Sequence, residues 1–283
     1  MKNVWAGIGI AAVVILAVGA YWLFSVPGVS AAVLYVENGT VAVDTGHGWV
    51  AGTDEMELPV GAKVRTNPDS TASVILLEGE VVHLEPSTEI SIDKVTSDTI
   101  HVTQDYGETW NKVTKISGIS TFEVETPTTV ATVRGTEFFV TANADEDDVA
   151  VSEGTVDVAL TNASEAKEEI GPMSKMSFKK KNKQIIKSAF DDQAKINKFQ
   201  AKYVKHLQHM RAQELRKQSR VVGMAKRMTG TTDAQIKQHL EELDDGAKDL
   251  DAEYKQVPGM LKAKAERTYK LTQAIRKAKM KKP

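Results

Sequence analysis

The sequence predicts a chain of three parts: a single apolar N-terminal helix, an all-β domain of short strands, and a helical tail. Three observations predict this. Residues 4–24 form an uncharged apolar run. Residues 32–178 alternate Val-, Ile- and Thr-rich runs with Gly, Asn, Asp and Pro, the mark of strands and turns. Beyond Ser188 the apolar spacing changes to steps of three and four, the period of a helix. The expected divisions are 1–27, 32–178 and 185–283.

Charge follows the same divisions. Residues 26–174 carry 7 Lys and Arg against 26 Asp and Glu, a net −19. Residues 175–283 carry 28 against 12, a net +16, and with Lys2 the chain returns to −2. There is no cysteine, which excludes disulfides, thiolate metal sites and a cysteine nucleophile. With 19 Gly, 8 Pro and 41% hydrophobic residues, the composition excludes a collagen-like or wholly disordered chain.

The apolar run is long enough to cross a bilayer, which takes about 20 residues. Trp5 lies near one end and Tyr21 and Trp22 at the other, where aromatics favour the interfaces. Lys2 precedes the run, and the next Lys or Arg is Lys63. This asymmetry predicts a single-pass anchor, with the N-terminus cytoplasmic and the bulk of the chain extracytoplasmic. Two alternatives stand beside it. Val29-Ser30-Ala31 before Ala32 suits signal peptidase, which would make the run a cleaved signal. A buried helix of a soluble protein is the third.

In the middle segment, residues 91–93, 100–103 and 121–125 alternate with period two. Three stretches repeat a turn followed by a strand: 38–43, 78–84 and 153–158. Each puts a glycine (Gly39, Gly79, Gly154) where the chain needs positive φ. The spacing is irregular, so an irregular β-roll or sandwich is expected rather than a strict repeat. Residues 64–68 and 124–127 echo each other as Val-x-Thr runs leading to Pro.

The residues Leu58, Gly61, Val64, Arg65, Thr66, Ser70, Ala72 and Val74 open a longer pattern. Leu77, Gly79, Val82, Leu84, Ser87 and Thr88 continue it, then Phe122-Glu123-Val124-Glu125-Thr126-Pro127. It closes with Ala131-Thr132-Val133-Arg134-Gly135-Thr136-Glu137-Phe138. Together these resemble the FecR domain family. The resemblance covers about half the chain. It implies an extracytoplasmic β domain; the name-giving members pass iron-uptake signals to a sigma factor. Sigma-regulating members carry a cytoplasmic domain before the span. Here Met1, Lys2 and Asn3 precede the run, so the cytoplasmic anti-sigma domain is expected to be lacking.

Candidate site residues are few. Arg134 and Thr136 flank Gly135 and could contact a ligand; the alternative is a structural turn in which Arg134 pairs with an acidic neighbour. Asp145, Asp147 and Asp148, with Asn143, make a weak calcium candidate. Counted from Asn143, the EF-hand positions for Gly and Glu hold Asp148 and Gly154, so that pattern fails and a solvated hairpin loop is the alternative. His206, His209 and His239 lack the H-E-x-x-H arrangement of a zinc site. No G-x-S-x-G and no phosphate-cradling glycine loop occurs. The expectation is a protein without cofactor or enzymatic activity.

The tail is read as three antiparallel helices. Ser188 is the expected N-cap of the first, whose stripe is Ile196, Phe199, Tyr203, Leu207 and Met210, and Gly230 ends it. Thr232 with Gln235 forms a capping box for the second. Its seam of Ile236, Leu240, Leu243, Ala247, Leu250, Tyr254 and Val257 is coiled-coil-like. Pro258 starts the third. An extended or partly disordered tail is the alternative.

The functional expectation is a membrane-anchored, extracytoplasmic FecR-like protein acting as a non-enzymatic binding or scaffold component. The runner-up is an extracytoplasmic sensor within a transmembrane signalling system. Expected partners are the membrane, through the N-terminal helix, and an envelope polymer or membrane-associated protein. The basic tail offers to dock anionic headgroups, acidic polymer or the acidic β domain. Nucleic acid is not an expected partner outside the cytoplasm.

Overall fold

The structure, a computed structural model, describes residues 31–77, 79–114, 120–161 and 163–280. The apolar run 4–24, and the expected anchor with it, lies outside them. Among the described residues no helix is long and apolar enough to cross a membrane. The chain divides into two compact units, with the boundary between Ser188 and Ala189.

The first unit is built from two β sheets. In sheet A the order is β4 (Met56–Leu58), β1 (Ala32–Asn38), β6 (Thr71–Leu76), β7 (Glu80–Leu84), the end of β9 (Thr99–Lys112), β12 (Glu137–Ala142), β13 (Glu146–Glu153) and β16 (Ser174–Lys179). Sheet B runs β3 (Trp49–Ala51), β2 (Val41–Asp44), β5 (Lys63–Thr66), β8 (Glu89–Val95), the start of β9, β10 (Thr121–Glu125), β11 (Thr129–Val133), β14 (Val156–Leu160) and β15 (Ala163–Ile170). The pairs are antiparallel except β9 with β10, which are parallel. A last strand, β17, covers Gln184–Ala189.

Strand β9 belongs to both sheets. Its first half pairs with β8 and β10, and from Gly107 onward it pairs with β12. The switch falls at Gly107, where φ is +96°. The buried Gln104 braces it by donating to the carbonyls of Gly107 and Val140, while its own Oε1 accepts from Thr109.

Alternation puts one face of each sheet into a shared core. Leu34, Val74, Leu84 and Phe138 come from sheet A, and Val43, Val64, Ile92 and Phe122 from sheet B. Phe122 and Phe138 meet edge to face, with centroids 6.4 Å apart. Gly39, Gly79, Gly135 and Gly154 all have positive φ.

Among its described residues the second unit holds five helices: α1 (Gln193–Lys217), α2 (Ser219–Thr229), α3 (Asp233–Asp244), α4 (Leu250–Gln256) and α5 (Gly259–Met280). The three-helix expectation is corrected at three places. Ser188 is not an N-cap, because β17 continues through it; Asp192 caps α1 by accepting from the Lys195 N–H. The first expected helix is interrupted at Gln218. The expected seam from Ile236 to Val257 is also interrupted. After Asp244 the chain turns through Gly246 at φ +77°, and Asp249 starts a new helix by accepting from the Asp251 and Ala252 N–H groups. A continuous coiled-coil seam is therefore not formed, and Ala247 is exposed.

The capping box of Thr232 and Gln235 is present, and Gly230 closes α2 in the left-handed conformation. The stripe Ile196, Phe199, Tyr203, Leu207 and Met210 is buried. Arg211 is buried beside it. Its guanidinium grips both carboxylate oxygens of the fully buried Asp244, at 2.5 and 2.8 Å, and donates to Thr272 Oγ1. The pair ties α1, α3 and α5 together at one level.

Candidate functional site

The outward face of sheet B carries the best-formed surface site. Cross-strand register places Ala42, Arg65 and Glu89 in one row, and Asp44, Lys63 and Ser91 in the next. Trp49 lies opposite Asp44 on the edge strand. A bulge between β8 and β9 sets Glu89 opposite Tyr106 rather than Asp105. Bulges re-aim side chains in this way.

These residues form a connected group. Glu89 is 6% exposed, and its Oε2 accepts from Arg65 Nε at 2.6 Å and from the Tyr106 hydroxyl at 3.1 Å. Arg65 Nη2 also lies 2.6 Å from that oxygen. The Arg65 guanidinium stacks over the Trp49 ring, 4.2 Å from its centre. Both aromatics face solvent, Trp49 at 40% and Tyr106 at 39% exposure. Burial, then the hydrogen bond to Glu89, pushes the Tyr106 pKa up, so the phenol stays protonated. The Glu89 hydrogen bond raises the Arg65 pKa, against desolvation.

Carboxylates outnumber cations around the group, although the neighbouring row also holds the exposed Lys63. Asp93 accepts from Ser91 and from Thr103 on β9, at 2.7 and 2.6 Å. Further along the same face, His101 Nε2 lies 3.0 Å from Glu125 and Nδ1 3.9 Å from Glu123. The face can stack a ring, accept hydrogen bonds and favour neutral or cationic groups.

The residues singled out from sequence lie elsewhere. Arg134 is exposed, and among the described residues it makes no ion pair, so the expected acidic partner is not found there. Thr136 is buried; its hydroxyl donates to the Thr155 carbonyl at 2.9 Å.

The acidic cluster is not brought together. Asp147 and Asp148 are neighbours on β13 and so point to opposite faces. Asp147 is buried, accepts from Thr126 Oγ1 and the Thr128 N–H, and pairs with Lys180 at 2.9 Å. Asp148 pairs with Lys175 at 2.7 Å. Asp145 is in the exposed turn. Among the described residues no group of three acidic or imidazole side chains could hold a metal ion.

Two other polar groups are closed. On β6 and β7, Ser73 and His83 are buried, with Ser73 Oγ 2.9 Å from His83 Nδ1. The serine donates instead to Glu37 Oε1 at 2.7 Å, which also lies 2.9 Å from the same imidazole nitrogen. A nucleophilic serine needs its proton directed to the base and its oxygen open to substrate. This one has neither. Lys112 bridges Glu137 at 2.7 Å and Glu153 at 3.0 Å across three strands. Desolvation works against the lysine's charge, but the two carboxylates outweigh it and raise its pKa.

Sequence reasoning missed Trp49, Glu89 and Tyr106. Of the group, only Arg65 is among the residues that carried the resemblance.

Comparison with known proteins bears on this segment directly. A family model described as FecR protein matches residues 62–157. Two crystal structures of a "putative anti-sigma factor" from Parabacteroides distasonis ATCC 8503 are similar. The one at 2.50 Å resolution is 28% identical, covers 46% of this chain and 61% of that one, and has a TM-score of 0.42. The one at 1.65 Å is 27% identical, covers 49% and 64%, and has a TM-score of 0.43. The chain thus spans less than two thirds of the length of the solved structures it matches. No curated protein matches. The segment that holds Arg65, Glu89, Tyr106 and the sheet switch at Gly107 is thus the one that matches the FecR family model, over residues 62–157.

Proposed function

We propose that the protein is a membrane-anchored, extracytoplasmic binding or scaffold component that acts without catalysis through its FecR domain. The observation that carries this reading is the open face of sheet B. Trp49 and Tyr106 stand exposed there on either side of an Arg65–Glu89 pair, while the Ser73–His83 and Lys112–Glu137 groups are closed by their own partners. Side chains held by hydrogen bonds but open to solvent are suited to recognition, because little rotamer freedom remains to be lost on binding. The apolar run 4–24 and the lysine asymmetry around it support the anchor and its orientation.

A sensor reporting to a partner signalling protein through the membrane is the second reading. The FecR match favours it, because that family includes signalling components.

Protease added to intact spheroplasts tests the placement. Digestion of residues 32–283, with the interior of the cell protected, is expected. A C-terminus that survives in sealed cells and is cut only after lysis would overturn the placement and the envelope-binding role with it.

A further inference from the structure

We infer that the Trp49–Arg65–Glu89–Tyr106 group is a saccharide site that takes an extended neutral or amino-bearing glycan. This rests on the binding role proposed above and names its ligand class.

The first argument is chemical. A pyranose ring offers apolar C–H faces and hydroxyls around its edge. The site offers the same alternation in complement. Two exposed aromatic rings stand at its ends, and a guanidinium and a carboxylate lie between them. Glu89 is the second argument. Its Oε2 takes all the hydrogen bonds the structure gives this carboxylate, from Arg65 and Tyr106. Its Oε1 makes none among the described residues, although the side chain is more than nine-tenths buried. A carboxylate oxygen held in place by its neighbour's hydrogen bonds and itself unused is an acceptor prepared for a donor such as a sugar hydroxyl or amine.

Size is the third. Trp49 on β3 and Tyr106 on β9 are four strand steps apart. The side chains lean toward each other across those steps, and Arg65 and Glu89 bridge the two aromatics through contacts of 4.2, 2.6 and 3.1 Å. A surface that runs from one ring over a guanidinium and a carboxylate to the other suits a short chain of sugars lying across the strands. Charge supplies the fourth. Asp93 and Asp105 flank the group, and Asp105 is close enough to act on both Arg65 and Tyr106. A polyanionic glycan would meet these carboxylates at close range, whereas a neutral or amino sugar would not.

The test uses the full chain in detergent micelles and three soluble tetrasaccharides: the tetramer of N-acetylglucosamine, its deacetylated amino form, and a hyaluronan tetramer. Calorimetric titration is expected to show binding of the first two, with hyaluronan weaker by about tenfold or more. Trp49→Ala and Tyr106→Ala should each weaken binding by about tenfold or more, as truncated aromatic anchors do. Both side chains are exposed, so an unchanged melting temperature will show that the variants fold. Failure of both chitin-type tetramers to bind, preference for hyaluronan, or a Trp49→Ala variant that binds like the parent would overturn the inference. Envelope protein captured by the parent chain and lost with Trp49→Ala would also overturn the glycan assignment, yet leave the binding role of the face standing.

Discussion

A side chain on Gly107 would place its Cβ 2.4 Å from the Cα of Thr88. The two backbones touch where β9 leaves sheet B and enters sheet A, and the Thr88 hydroxyl caps the contact by bonding the backbone of Glu108. Both the contact and the positive φ demand glycine. Gly107→Ala should therefore destabilise the β unit by at least ~1–3 kcal/mol, measured by urea unfolding. A loss under about 0.5 kcal/mol would show that the switch tolerates a side chain.

Arg134 and Thr136 should separate cleanly. Thr136→Ala removes a buried hydroxyl bond to the Thr155 carbonyl and should cost about 1 kcal/mol. Arg134→Ala lies at the surface and should change stability by no more than about 0.5 kcal/mol. A large melting shift for Arg134→Ala would contradict its exposed placement.

In the helical unit, Arg211→Met should leave the buried Asp244 carboxylate unpaired and cost ~3–5 kcal/mol. Replacing both residues, Arg211→Met with Asp244→Leu, should recover most of that loss. The double variant reads the pair's interaction directly by a mutant cycle. Additive losses would mean that the two side chains act independently.

Lys112 makes the β unit sensitive to alkali. Its folded pKa is raised above the ordinary lysine value of 10.5. Its contribution is thus complete below that value and is lost as pH rises through the higher folded value. Stability followed from pH 9 upward should fall, and Lys112→Met should flatten part of that fall while lowering stability at neutral pH. An unchanged alkaline slope in the variant would assign the effect to other groups.

The pattern of residues foretold the stripe from Ile196 to Met210 because helical period and burial agree along α1. The capping box at Thr232 was equally legible, since it is a local spacing rule. The interruption at Gly246 was not. An unbroken 4,3 spacing reads the same whether or not a buried ion pair at Asp244 and an Asp249 cap divide the helix. β9 was legible only over 100–103, because Gly107 reads as a turn when the two sheets that share the strand are not in view. The sheet B site escaped for a related reason. Trp49 and Tyr106 come together only through the register of five strands and one bulge, neither of which is a local signal.

The central claim is that the open face of sheet B is the binding surface, and co-sedimentation tests it most directly. Full-length protein in detergent is mixed with purified, insoluble cell-wall material and pelleted. The account predicts that the parent chain and Arg134→Ala pellet with the wall, while Trp49→Ala and Tyr106→Ala stay in the supernatant with unchanged melting temperatures. A Trp49→Ala protein that pellets as fully as the parent would contradict it.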